Sequence, residues 1–133
     1  IVQDVTGSMS PYMMQTLIWL NLATTARKPN RFVFFNDGDN KANAVKRVGR
    51  IGGLYSVQSS RPDSIQKTMS KAALKGSGGD GPENDLEAII KAQSQFPQSK
   101  DIVLIADNQS GVKDINLLWK VKKPIHIVLC GYM

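Results

Sequence analysis

A chain of 133 residues with 41% apolar and 21% charged residues has the size and composition of one globular domain, long enough to bury a single core and unlike a disordered or fibrous chain. Its lone cysteine, Cys130, excludes an internal disulfide and a cysteine zinc cage, and no apolar run reaches the roughly 18–20 residues of a membrane span. The net charge of +6 admits acidic partners or polyanions, but the basic residues are scattered, with gatherings at Arg27 to Arg31, Lys41 to Arg50 and Lys120 to Lys123, and aromatic residues do not interleave with them, so a solvated basic surface is expected rather than a nucleic-acid face.

The sequence begins inside an expected strand, without an initiator Met or a basic-then-apolar leader. It therefore reads as a single domain, 1–133, excised from a longer protein. Ile1 to Asp4 ends that strand, and Asp4-Val5-Thr6-Gly7-Ser8 follows as a turn carrying one carboxylate and two hydroxyls on alternate residues. Two readings of this turn stand side by side. Asp, Thr and Ser are ordinary turn and N-cap residues; they are also oxygen donors that a curled backbone can aim at one point, a partial shell for a hard cation such as Mg²⁺.

Ser10-Pro11 opens a helix expected from Tyr12 to Ala26, since Ser suits the N-cap and Pro the first helical position. Met13, Leu17, Leu20 and Thr24 follow the helical repeat, and Met14, Ile18 and Leu22 add a second stripe, which predicts a largely buried helix with Trp19 in the core. Pro29-Asn30 stops it. Phe32-Val33-Phe34-Phe35 is the continuous apolar run of a strand buried on both faces, and Asp37-Gly38-Asp39-Asn40 turns the chain. Asp37 and Asp39 suit a polar turn better than a second cation site. A hairpin then returns as an antiparallel edge strand near Gly53 to Gln58, with the basic residues before it guarding the edge.

Pro62-Asp63-Ser64 starts a second helix with Ile65, Met69, Ala72 and Ala73 on one side. Gly76 to Gly81 interrupts it, and Pro82-Glu83 starts a third helix with Leu86, Ile89 and Ile90 inward, ended by Gln95-Phe96-Pro97. Asp101 to Ala106 is the clearest buried strand and runs into Asp107-Asn108. A short helix at Val112 to Val121, placing Trp119 in the core, precedes a last strand at Ile125 to Leu129. In it, His126 reads as a packed or edge-facing residue and the following Cys130 as a small buried group. Alternation of strands and helices predicts an α/β fold: a mainly parallel central sheet with one antiparallel edge strand and helices on both faces, three layers in a Rossmann-like arrangement. Such sheets bind ligands beyond the carboxyl ends of their strands, at the switch point where connections leave in opposite directions. If the first strand neighbours the Ile102 strand there, Asp4 and Asp107 reach one crevice.

Three separated pieces, Asp4-Val5-Thr6-Gly7-Ser8-Met9, Gly78-Gly79-Asp80-Gly81-Pro82-Glu83 and Val103-Leu104-Ile105-Ala106-Asp107, resemble a von Willebrand factor type A (VWA) domain over almost the whole chain. The resemblance implies a metal-ion-dependent adhesion site with Asp4, Thr6 and Ser8 in its first loop and Asp107 in its last. The middle piece departs from the threonine of integrin-type domains and offers Asp80 or Ser77, of which Asp80 is preferred because a carboxylate beside Gly78 and Gly79 can approach an ion closely. The implied cofactor is Mg²⁺, with Mn²⁺ or Ca²⁺ also suitable, and the implied role is binding, not catalysis: a protein or peptide partner's Asp or Glu completes the metal shell. Met9, Tyr12, Asn108, Gln109 and Ser110 are expected to shape specificity. Adhesion-type use leans towards an extracytoplasmic setting, although intracellular members of the family exist. Neither nucleic-acid binding nor membrane insertion is expected.

Two alternatives belong to other classes. One is a Mg²⁺-dependent phosphotransfer enzyme of haloacid-dehalogenase-like type; its D-x-D-x-T pattern would need an acid where Thr6 stands, and no G-x-x-x-x-G-K-[ST] loop is present. The other is a basic module binding polyanions, which would show steep salt dependence and indifference to chelators.

Overall fold

The computed structural model describes residues 1–23, 29–76 and 81–131. Five strands, β1 (Val2–Asp4), β2 (Asn30–Phe35), β3 (Leu54–Ser59), β4 (Ile102–Asp107) and β5 (Ile125–Cys130), form one sheet in the order β3-β2-β1-β4-β5. All neighbours are parallel except β2 and β3, which pair antiparallel from Asn30 opposite Ser59 to Phe35 opposite Leu54. The α/β architecture with an antiparallel edge strand is thus as the sequence predicts. Helices α1 (Ser10–Ala23) and α2 (Pro62–Lys75) lie on one face and α3 (Asp85–Gln95) on the other.

Strand β2 shows why its apolar run is unbroken. Phe32 and Phe34 pack with Val5, Leu20, Ile65 and Met69 under α1 and α2, while Val33 and Phe35 join Val2, Leu86 and Ile89 under α3. Each of the four is fully buried, worth about 2 kcal/mol apiece in apolar area removed from water.

Several expectations change. The second stripe of α1 faces outward, with Met14, Ile18 and Leu22 exposed, because only one side of a helix can meet the sheet and that side carries Leu20 and Thr16. Trp19 and Trp119 are 49% and 70% exposed and are not core residues. The expected helix end at residues 24–26 lies outside the described residues. Glu83 and Asn84 precede α3 instead of opening it, and the helix expected at Val112 to Val121 is a 3₁₀ segment over Ile115–Lys120 that buries only Leu117. Strand β4 buries alternate residues: Ile102, Leu104 and Ala106 meet α3, while Val103 and Ile105 are half-buried in a groove that α1 borders through Tyr12, Gln15, Thr16 and Trp19. No helix among the described residues is long and apolar enough to cross a membrane.

Candidate functional site

The parallel pairing of β1 with β4 places Val2 opposite Leu104 and Gln3 opposite Ile105, so Asp4 and Asp107 end neighbouring strands at the same edge. From β1 the chain leaves through α1 to β2 on one side, while from β4 it leaves to β5 on the other; the gap between β1 and β4 is therefore the switch point of the sheet. The Asp107 carboxylate is close enough to help raise the pKa of Asp4.

The first turn is organised around one oxygen. Asp4 Oδ1 accepts from the Thr6 N–H and from Thr6 Oγ1, both at 2.7 Å, and Thr6 Oγ1 lies 3.3 Å from Ser8 Oγ. Thr6 also starts a 3₁₀ turn over Gly7–Met9 that leads into α1. Asp4 and Thr6 are buried and Ser8 is half-buried, so the donors sit at the floor of a crevice rather than on a loop tip. In the last loop Asp107 Oδ1 accepts from the Gln109 N–H at 2.9 Å, and Asp107 Oδ2 is buried without a hydrogen-bond partner.

The middle-loop candidates Asp80 and Ser77 lie outside the described residues. Three positions after Asp80, however, Glu83 enters the same crevice, which has a volume of about 480 Å³ and is also lined by Thr6, Ser8, Asp37 and Ser110. Glu83 is 8% exposed and its Oε2 has no hydrogen-bond partner. Its backbone is fixed by Glu83 N–H to Gly111 O at 2.8 Å and Lys113 N–H to Glu83 O at 2.7 Å, a parallel bridge with Val112 that ties the loop before α3 to the loop after β4. The Pro-Glu pair reads in the sequence as a helix start; the chain instead stays extended through Glu83, and this carries the carboxylate into the crevice.

Burial without enough positive charge raises the acids here. Asp4 is pushed up to about 6, mainly by burial, with Thr6 bonding against the shift and Asp107 and Asp37 adding to it. Glu83 rises to about 8 through burial and then Asp4, Asp37 and Asp85, opposed by Lys113. Asp85 rises to about 7 through burial, then Asp4 and Asp114.

Neighbouring acids have structural work instead. Asp37 is buried and ion-paired to Lys46 and to Lys113, so lysine ammonium groups stand where a second cation would need to be. Asp39 accepts from Tyr55 Oη and Asn36 Nδ2 in the turn that the sequence predicts. Lys46, expected among the guards of the sheet edge, is therefore an interior residue, while β3 itself carries no lysine. Asp114 caps α3, accepting from the Leu86 and Glu87 N–H groups at 3.1 and 2.7 Å. Met9, expected to contact a partner, is fully buried, whereas Asn108 and Gln109 are exposed and Ser110 lines the crevice. His126 lies on the exposed edge strand 3.4 Å from Asp101, far along β5 from the site, and Cys130 is half-buried with its thiol raised by burial.

The donor set suits a hard, oxygen-seeking ion: carboxylates and hydroxyls, with two buried carboxylate oxygens unpartnered and no sulfur or imidazole ligand among those named. Among the described residues no three His, Cys, Asp or Glu side chains are grouped to hold an ion on their own, so hydroxyls and water would have to fill part of any shell. No protein-family model, curated protein or solved structure matches the chain.

Proposed function

We propose that this chain is a divalent-cation-dependent binding module of VWA type, in which Asp4, Thr6, Ser8 and Asp107 hold Mg²⁺, with Mn²⁺ or Ca²⁺ as substitutes. Asp80 is the preferred middle-loop donor on the sequence resemblance, and Glu83 joins the set from its position in the crevice. The observation that carries the reading is the convergence of Asp4 and Asp107 at the ends of paired strands on the switch point. Acids raised by burial and then by neighbouring carboxylates add to it, because such a cluster is relieved by a cation.

Bound there, Mg²⁺ would supply an electrophilic centre with exchangeable positions for an Asp or Glu carboxylate of a protein or peptide partner. The chain's own contribution is preorganisation. Thr6 holds Asp4 through two bonds to one oxygen, the Gln109 N–H orients Asp107, and the bridge at Glu83 and Val112 locks the middle and last loops together. The crevice volume of about 480 Å³ is more than an ion alone would fill.

Titration of the purified protein with Mg²⁺ by calorimetry tests the reading. Wild type is expected to take up one ion per chain at the site, and Asp4→Ala and Asp107→Ala to lose that uptake while remaining folded. Equal uptake by all three proteins would remove the assignment.

A further inference from the structure

The sequence gives a modest excess of base over acid, but folding sorts the two signs. Among the described residues ten Lys and Arg are exposed against three acids, Asp39, Asp63 and Asp101. The seven other described acids are buried or half-buried, and all belong to segments that meet at the carboxyl edge of the sheet. At that same edge the exposed charges are basic. Lys41, Arg47 and Arg50 stand on the connection from β2 to β3, and Lys75 ends α2, whose following Gly76 lies against Asn36 at the end of β2. Arg47 is held in place by Nη1 bonds to Ala44 O and Lys46 O at 3.0 and 3.2 Å. The one exposed acid of this edge, Asp39, is engaged by Tyr55 and Asn36.

An acidic floor with a basic rim is a two-part recognition surface. We propose that it binds an acidic polypeptide segment, one carboxylate entering the crevice beside Asp4 and Asp107 while neighbouring Asp or Glu side chains of the same segment meet Lys41, Arg47, Arg50 and Lys75. The inference rests on the metal-dependent reading and narrows its partner from any exposed carboxylate to a cluster of them. Charge complementarity at a rim acts mainly on partner choice and association rate, and it discriminates against neutral segments. A polypeptide is favoured over a single-stranded nucleic acid because the aromatic residues of this edge among the described residues, Tyr12 and Tyr55, are half-buried and the Tyr55 hydroxyl is bonded to Asp39, which leaves no open ring platform for bases; the duplex probe tests the remaining polyanion reading.

The experiment uses Mg²⁺ alone, a decaglutamate peptide, a peptide of equal length with one Glu among Ser and Gly, and a duplex DNA oligonucleotide as probes. Two double variants change the net charge equally: Arg50→Glu with Lys75→Glu on the rim, and Arg61→Glu with Lys100→Glu at the opposite edge. Thermal melting checks that both are folded. Expected are unchanged Mg²⁺ uptake in both variants and EDTA-sensitive binding of decaglutamate in preference to the single-Glu peptide. The rim variant should bind decaglutamate about tenfold more weakly, and the opposite-edge variant less than about threefold, as local rather than global charge predicts. Mg²⁺ uptake with equal peptide affinity in the two variants overturns the inference and leaves the metal site standing. DNA bound as tightly as decaglutamate in EDTA overturns it in favour of a polyanion surface. A wild-type protein that takes up no Mg²⁺ removes the metal reading and this inference with it.

Discussion

Glu83 illustrates how much a single carboxylate can report. It is buried, one of its oxygens is unpartnered, and its charge is opposed by Asp4, Asp37 and Asp85. Glu83→Gln keeps the shape and removes the charge, so above pH 8 the metal-free protein should gain on the order of 1 kcal/mol of stability in denaturant melts. The same substitution should weaken Mg²⁺ about tenfold if the carboxylate serves the ion. A loss of stability without metal would mean that the charge is compensated in the fold. The acids also set a pH dependence. Folding raises Asp4, Asp85 and Glu83 from 3.8, 3.8 and 4.5 to about 6, 7 and 8, so between these limits the folded state holds protons that the unfolded chain has released. Stability in the absence of metal therefore falls as pH rises from about 4 to about 8 and levels off beyond it. The Ile1 amino group, lowered to about 6, acts oppositely near pH 6–8, one group against three. The melting temperature in EDTA is expected to be lower at pH 8 than at pH 5, with saturating Mg²⁺ reducing the difference; a rise with pH would contradict the picture of uncompensated buried acids.

Among the elements, α3 is anchored at its start by groups distant in sequence. Asp114 caps it, and Glu87 accepts backbone N–H groups of Gly49, Ile51 and Gly52, fastening the long connection after β2 to the helix. Removing the cap with Asp114→Ala should cost about 1–2 kcal/mol in equilibrium unfolding, whereas Asp114→Asn, which retains one acceptor, should cost less. Equal costs would point to lost packing instead of lost hydrogen bonds. Asn36 does similar work at the end of β2: it bonds Ala72 O at 2.7 Å, and a Cβ on Gly53 or Gly76 would fall on its side chain. These ties join groups far apart in sequence, which helical periodicity does not reveal. The repeats of α2 and α3 identify their inward faces, because each carries one apolar side. The two apolar stripes of α1 do not say which one the sheet takes, and Pro82-Glu83 does not say that a bridge to Val112 will hold Glu83 extended.

Across the whole molecule, the outer half of the sheet beyond β4 is thinly covered on the α1 side. A groove there is lined by Ile1, Tyr12, Trp19, Ile105 and Val128, and on the other face the edge strand exposes Ile127 and Leu129. Trp19 borders this groove, and both tryptophans have about half or more of their surface exposed. Acrylamide should therefore quench nearly all native tryptophan fluorescence; a protected fraction would show that one of them is covered in solution.

The fold class, the strand-turn-helix placement of Asp4, Thr6 and Ser8, and the ending of a strand at Asp107 could be read from residue order alone, because strand and helix periodicity and turn chemistry are local properties. That Asp4 and Asp107 lie side by side, that Glu83 joins them, and that the acids go inside while the bases remain outside were decided by the sheet order and the loop ties. A sequence states which side chains are present, but desolvation and charge coupling depend on which of them the packed chain brings together and hides from water.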